Sequence, residues 1–204
     1  MFPSSQKNTS DKANLRRELR RRRMALSAVQ RRAAEAAVAR RAKPLLKRGR
    51  RIAAYTAVGS ELSLAPLIRL ARARGVEIWL PLVPRRGRRL RFARLDDPSG
   101  QWRANRYGIQ EFVSRRHIGA QRLDLVLLPL LGFDEEGGRL GQGGGYYDCT
   151  LAFRGRRRQW KKPRLIGVAF ACQGLARLPR EPHDVLLDAI LTEQGLRRSA
   201  AAAS

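Results

Sequence analysis

Cysteine and histidine are nearly absent from this chain: each occurs twice in 204 residues, as Cys149, Cys172, His117 and His183. Two thiols with no partners at metal-ligand spacing make neither a disulfide framework nor a zinc site, and they suit a reducing compartment as free thiols. Long apolar runs are missing as well. The longest, residues 125–133, contains Pro129 and is far shorter than the roughly 20 residues a membrane-spanning helix needs. The first eleven residues are polar and show no apolar stretch before a small-residue cleavage site, so no secretory signal is read and a cytoplasmic protein is expected. The arginine-rich, serine-containing start has the flavour of a mitochondrial presequence, against which Asp11 and Glu18 count. Gly-x-Ser-x-Gly and His-Glu-x-x-His are both lacking, and neither histidine has a nucleophile near it in sequence, so no covalent nucleophile is expected.

Acidic residues are few against basic ones, 17 to 43, which gives a net charge of +26. Such an excess ordinarily points to nucleic acid, because Lys and Arg clustered on phosphates release counterions. Here the charge is not clustered. Residues 1–51 carry 17 basic and 3 acidic residues, and the other 26 basic residues are spread over the rest of the chain. Arginine heavily outnumbers lysine and alanine is abundant, so a compositional bias explains the charge as well as a binding face does. A length of 204 residues suffices for one core without staples.

Residues 1–10 read as a disordered lead, residues 11–198 as one domain and residues 199–204 as a disordered tail. Leu15, Leu19 and Leu26 recur at helical spacing from about Asp11, and Ser27 with Gln30 forms a capping box for a second helix that runs to about Lys43, where Pro44 interrupts. The period then changes. Residues 52–58 read as a strand, 65–74 as a helix with Pro66 in its first turn, and 76–83 as a strand after a turn at Gly75. Residues 90–95 suggest another strand, 96–106 a loop, 123–130 a central strand, 146–153 a helix, 165–170 a strand and 188–192 a short last strand. This alternation implies an α/β fold, a three-layer αβα sandwich with a mainly parallel central sheet. Its ligands would lie beyond the carboxyl ends of the strands, where the loops after the first strand, after Phe133 and after Phe170 are expected to meet.

The most informative segment is residues 139–148, Arg-Leu-Gly-Gln-Gly-Gly-Gly-Tyr-Tyr-Asp. Consecutive glycines after a strand let backbone N–H groups converge on phosphate oxygens. The spacing matches neither a Walker A loop, which needs Lys-Ser/Thr after the glycines, nor the dinucleotide fingerprint, whose third glycine falls on Tyr146. Asp148 and Asp184 are two carboxylates suited to magnesium beside phosphate, or to helix-start and turn roles. Lys12 and Arg16 lie four apart on one helix face, as a phosphate clamp or as part of a solvated face. Glu61 sits in a small-residue turn, to accept from an amine-rich heterocycle or to cap a helix. Tyr107 and Tyr147 offer flat rings for stacking or for packing.

Together these residues resemble the 5-formyltetrahydrofolate cyclo-ligase family. The resemblance rests on Lys12 and Arg16 followed by Leu26-Ser27, the strand and turn 52–61, Trp79-Leu80-Pro81, Tyr107-Gly108-Ile109 and Leu123-Asp124-Leu125-Val126. It continues through Pro129-Leu130-Leu131-Gly132-Phe133-Asp134, Gly138-Arg139-Leu140-Gly141, Gly143-Gly144-Gly145-Tyr146-Tyr147-Asp148, Gly167-Val168-Ala169-Phe170, Gln173, Leu178-Pro179 and His183-Asp184. The resemblance implies ATP- and magnesium-dependent closure of 5-formyltetrahydrofolate to 5,10-methenyltetrahydrofolate, through attack of the formyl oxygen on the γ-phosphate and ring closure by N10. It assigns ATP to Lys12, Arg16, Arg139, Leu140, Gly141, Gln142, Gly143, Gly144, Gly145, Tyr146 and Tyr147, and Mg2+ to Asp148 and Asp184. It assigns the folate to Thr56, Glu61 and Tyr107, helped by Gln142, Gly143, Gly144, Gly145 and Tyr146.

The sequence departs from the family pattern at Gln142 (commonly aromatic or basic), Phe112 (proline), Ala171 (glutamate), Cys149 (arginine) and Thr56 (apolar), which leaves a weakened paralogue as an alternative. The expected protein is a monomer with folate and ATP as its ligands and no membrane partner. A basic nucleic-acid-binding protein on the same scaffold is the rival from another class, and weak nonspecific nucleic-acid binding fits either.

Overall fold

The computed structural model describes residues 4–155, 162–182 and 184–200, with side chains from residue 11 onward. Four helices are α1 (Ser4–Met24), α2 (Ala28–Arg41), α3 (Ala65–Ala73) and α4 (Tyr146–Leu151). The first six strands are β1 (Arg51–Ala53), β2 (Glu77–Leu82), β3 (Arg91–Arg94), β4 (Gln101–Ala104), β5 (Gln110–Val113) and β6 (His117–Ile118). They are followed by β7 (Leu125–Pro129), β8 (Gly132–Phe133), β9 (Arg139–Leu140), β10 (Arg164–Val168), β11 (Ala189–Thr192) and β12 (Gly195–Arg198).

Local chemistry accounts for the helix bounds. The Ser27 hydroxyl accepts from the Gln30 amide at 3.2 Å, and the Gln30 side chain accepts from the Ser27 amide at 2.8 Å, closing the capping box at the start of α2. The alanine-rich body of α2 then propagates at little entropic cost. Pro66 starts α3, and Gly75, at φ +70°, turns the chain back after it.

Eight strands form one sheet in the order β12-β11-β10-β7-β1-β2-β3-β6. β11, β10, β7, β1 and β2 are parallel, and β12, β3 and β6 join antiparallel at the edges. The apolar strands bury alternate residues on opposite faces. Leu125 and Leu127 pack with Ile52, Ile78, Leu80, Ile166 and Val168 beneath α2 and α3. Val126 and Leu128 pack with Ala53, Trp79 and Leu165 against Leu151 of α4. Burial on both faces is why the runs read as continuous rather than alternating, and each such buried side chain stabilises the fold by about 2 kcal/mol. α1 docks separately, through Leu19 onto Leu140 and Leu178. No helix among the described residues is long and apolar enough to cross a membrane.

The three-layer α/β expectation holds, with corrections in detail. The strand expected over 52–58 ends at Ala53, because beyond it the chain leaves the sheet toward Tyr55, whose hydroxyl donates to the Leu62 carbonyl at 2.9 Å. The supposed loop 96–106 contains β4, which pairs with β5 as a hairpin and sets Trp102 opposite Phe112. The strand expected over 90–95 is present but antiparallel. The boundary at residue 10 falls inside α1, which begins at Ser4. Ser199, taken as the start of a tail, is buried and its hydroxyl donates to the Leu187 carbonyl at 2.5 Å; residues 201–204 lie outside the described residues.

Candidate active site

The sheet order reverses direction between β7 and β1: from β1 the chain steps to β2 and β3, and from β7 it steps the other way to β10 and β11. A crevice opens at such a switch point, beyond the carboxyl ends of the parallel strands. The cleft there holds about 560 Å³, and Thr56, Pro81, Val83 and Pro129 from the strand ends line its floor.

α1 forms one wall with a row of cations. Lys12 Nζ donates to Glu181 Oε1 at 2.7 Å and lies 3.7 Å from Asp184 Oδ2. One turn on, Arg16 Nε donates to the Gly141 carbonyl at 3.0 Å. Arg20 Nη2 donates to Gln142 Oε1 at 2.7 Å, and Arg23 Nε donates to Ser60 Oγ at 2.9 Å. These four residues recur at helical spacing, so one face of α1 touches three separate loops. Arg23 is buried, and burial lowers its pKa.

The opposite wall is the glycine loop. The β8–β9 hairpin sets its start, with the Leu131 amide donating to the Leu140 carbonyl at 2.7 Å. Gly143 at φ +103° and Gly145 at φ +66° are the positions where glycine is required. A Cβ at Gly143 would lie 3.7 Å from the Arg16 guanidinium carbon, so bare backbone and cation face each other across the cleft. Just beyond, Arg139 Nη2 pairs with Asp148 Oδ1 at 2.5 Å and its other amino group donates to the Val185 carbonyl. The Val185 amide in turn reaches Asp148 Oδ1 at 3.4 Å, which places Asp148 beside the residue that follows Asp184. Asp184 Oδ2 accepts from the Glu181 amide at 2.8 Å.

The far end of the cleft is less charged. Glu61 Oε2 accepts from the Val58 amide at 3.0 Å, and Glu61 Oε1 accepts from Gln142 Nε2 at 3.3 Å. Glu111 Oε1 accepts from the Val83 amide at 3.0 Å and from Asn105 Nδ2 at 2.8 Å, which fastens the β4–β5 hairpin to β2. Burial raises the pKa of Tyr55 and of Tyr147, so both are neutral phenols in the wall. At the mouth, Tyr107 and Tyr146 share a hydroxyl hydrogen bond of 2.7 Å, and Arg106 Nη2 donates to the Tyr146 oxygen at 2.6 Å. The Tyr107 bond, then Arg106, lowers the Tyr146 pKa, while the same shared bond raises that of Tyr107.

Lys12, Arg16, Thr56, Glu61, the whole run 139–148 and Asp184 therefore line one cleft. Lys12 and Arg16 face the cleft rather than solvent. Tyr107 differs: it is 57% exposed, is not itself part of the lining, and meets it through its hydroxyl on Tyr146 and its amide on Asn105. The loop after Phe170, expected at the rim, does not line the cleft. Its Gln173 is buried, with Nε2 donating to the Leu130 and Leu131 carbonyls at 2.9 Å and Oε1 accepting from the Phe170 amide. His183 lies outside the described residues. Sequence reasoning missed Arg20, Arg88, Asn105, Glu111 and Glu181; only the i, i+4 continuation from Lys12 and Arg16 to Arg20 signalled any of them. Of the departures, Phe112 is buried under the hairpin beside Trp102 and the Ala171 amide donates to Glu193 at 3.0 Å. Neither of these lines the cleft, nor does Cys149; Gln142 and Thr56 do.

A hard cation takes oxygen ligands and, in the case of magnesium, usually one or two carboxylates with phosphate and water completing the shell. No group of three or more His, Cys, Asp or Glu side chains comes together among the described residues, whereas Asp148 and Asp184 open onto the same cleft. That donor set fits magnesium held jointly with phosphates and does not make an all-protein cage.

A model of the 5-formyltetrahydrofolate cyclo-ligase family matches residues 8–193. The 5-formyltetrahydrofolate cyclo-ligase of Haemophilus influenzae is 34% identical over 193 residues, covering 90% of this chain and 98% of that one. The protein of the same name from mouse is 30% identical over 193 residues, covering 90% and 94%. The NMR structure of Aquifex aeolicus 5,10-methenyltetrahydrofolate synthetase matches with a TM-score of 0.76 at 31% identity, covering 93% of each chain.

Proposed function

Because the chain belongs to the 5-formyltetrahydrofolate cyclo-ligase family, a family of ATP-dependent ligases of folate metabolism, we propose that this cleft closes 5-formyltetrahydrofolate to 5,10-methenyltetrahydrofolate. The observation that carries the reading is the convergence, at one switch point, of the glycine loop, the α1 cations and the two carboxylates. The phosphates of ATP lie along the amides of Gly143, Gly144 and Gly145, between Lys12 and Arg16 on one side and Arg139 on the other. Leu140, Gly141, Gln142, Tyr146 and Tyr147 complete that subsite. Asp148 and Asp184 hold magnesium, which when bound neutralises phosphate charge. Glu61 and Thr56 receive the pterin side of the folate, and Tyr107 flanks the mouth.

The formyl oxygen takes the γ-phosphoryl group, forming a C–O–P linkage as the bond to ADP breaks. N10 then attacks the activated carbon, loses its proton, and the C–O bond breaks to release phosphate. No side chain forms a covalent bond in this sequence. The residues supply position and opposing charge, which is most of what phosphoryl transfer requires. We place the enzyme in the cytoplasm and treat it as a monomer. The nucleic-acid alternative is not favoured, since Lys12, Arg16, Arg20 and Arg139 are all directed at groups of this protein within the cleft.

The test is appearance of the methenyl chromophore from 5-formyltetrahydrofolate with ATP and magnesium, and with each withheld. Product that forms only with both present supports the reading; purified folded protein that forms none ends it.

A further inference from the structure

Gln142 stands between two loops that serve different ligands. Its side-chain carbonyl accepts from Arg20 Nη2 at 2.7 Å, and its amide nitrogen donates to Glu61 Oε1 at 3.3 Å. A glutamine amide suits this position because it presents an acceptor to a cation and a donor to an anion at once. The opposite orientation would set N–H against guanidinium and carbonyl against carboxylate, so the partners fix the amide in one sense. Both loops are also held by backbone or hydroxyl contacts from the same helix layer. Arg16 grips the Gly141 carbonyl at 3.0 Å, Arg23 grips the Ser60 hydroxyl at 2.9 Å, and Arg31 Nη1 grips the Ser60 carbonyl at 2.8 Å. The bridge from Arg20 through Gln142 to Glu61 thus spans two anchored segments and joins their functional ends by side-chain hydrogen bonds.

We propose that Arg20 and Gln142 are positioning residues that couple the two halves of the cleft, so that a nucleotide on the glycine loop orients Glu61 for the folate and the folate orders the glycine loop for the nucleotide. This rests on the assignment of ATP and folate to the two ends of the cleft. The physical basis is that the glycine loop costs conformational entropy to order. Whichever ligand orders the loop first spares the second ligand part of that cost, which appears as a reciprocal gain in affinity. Arg20 provides the fixed point, because it comes from a helix and not from either loop.

The test is a linkage measurement by calorimetry on the full chain with magnesium present. The Kd of 5-formyltetrahydrofolate is determined with and without a saturating non-hydrolysable ATP analogue, and the analogue's Kd with and without folate. In the unaltered protein the two ratios should agree and be about fivefold or more. Gln142→Ala and Arg20→Ala should each bring the ratio close to one, Arg20→Lys should retain part of it because an ammonium also donates to the glutamine carbonyl, and the double variant should be no worse than either single one. A merely structural lesion lowers both affinities and leaves the ratio unchanged, which would overturn the proposal, as would a ratio of one in the unaltered protein. Glu61→Gln separates the proposal from the reading beneath it. If that variant binds folate as the unaltered protein does, the assignment of the folate end fails; if it loses folate affinity while Gln142→Ala keeps full coupling, only the bridge fails.

Discussion

The two ends of the cleft are built from different chemistry. The end assigned to nucleotide is held by charge: Lys12 with Glu181 and Asp184, Arg139 with Asp148, and Arg16 on a backbone carbonyl. The end assigned to folate is held by packing and by hydrogen bonds without ion pairs, through Tyr55, Pro81, Val83, Leu90, Asn105 and Pro129, with Glu61 and Glu111 as carboxylates that accept from neutral donors. The contrast teaches that the two ligands meet different costs. On that assignment folate would enter a wall already formed by the sheet ends, whereas magnesium and phosphate would exchange places with the protein's own counter-charges. Exchange of ion partners is sensitive to salt and to single charge removals; packing is sensitive to neither to the same degree.

The largest effect should come from the charged end. Asp148→Asn removes the partner of an Arg139 side chain that is only 6% exposed, and breaking such a pair leaves a cation uncompensated, at a cost of roughly 3–5 kcal/mol when fully buried. We expect ATP-dependent turnover to fall by about 100-fold or more and the magnesium titration to move to higher concentration, measured by methenyl absorbance. An unmoved magnesium titration removes Asp148 from the metal. The matching change at the other end is Glu61→Gln. Loss of a charge-assisted hydrogen bond of about 1.5–3 kcal/mol should raise the folate KM by about tenfold or more, with a smaller change in the KM for ATP; equal changes in both would blur the division between the two ends. Gly143→Ala comes next. Its backbone at φ +103° strains any L-residue, but an added Cβ meets nothing closer than 3.7 Å. The penalty is therefore conformational, about 1–3 kcal/mol, and should appear as a severalfold rise in the ATP KM.

The same contrast governs what could be read from the sequence. The sheet was legible because β1, β2, β7 and β10 bury both faces, and continuous apolar runs between turn residues leave few other readings. The start of α2 was legible from four residues, since a capping box is a local device. The glycine loop, Asp148, Asp184 and Glu61 were visible as candidates, and the structure brings them into one cleft. The role of α1 was not legible. Arg16, Arg20 and Arg23 lie among Arg17, Arg21 and Arg22, and only docking of Leu19 onto Leu140 and Leu178 decides which of these identical side chains reach the neighbouring loops. The β4–β5 hairpin was hidden for another reason: all four residues of β4 are exposed, so its strand carries no apolar alternation to detect. Its register comes from cross-strand pairing and from Glu111 fastened to β2.

That exposed hairpin supplies the smallest and most local test of the comparison. Tyr107, at its tip, crosses the cleft mouth to Tyr146 on the glycine side. The shared hydrogen bond is the first cause of the lowered Tyr146 pKa, and Arg106 is the second. Lowering an acid's pKa means that the surroundings favour its anion, so removing the first cause must raise the value and leave Arg106 to hold it below that of a free phenol. Tyr107→Phe does this while keeping the ring. Difference absorbance of the phenolate should therefore show the Tyr146 titration moving upward, with one ionising phenol fewer at the mouth. Since the ring stays in place and no group of the charged end is touched, turnover near neutral pH should change by less than about threefold. A Tyr146 titration that stays where it was would mean that the Tyr107 hydroxyl does not reach Tyr146 in solution, leaving Arg106 as the contact between the hairpin tip and the glycine side.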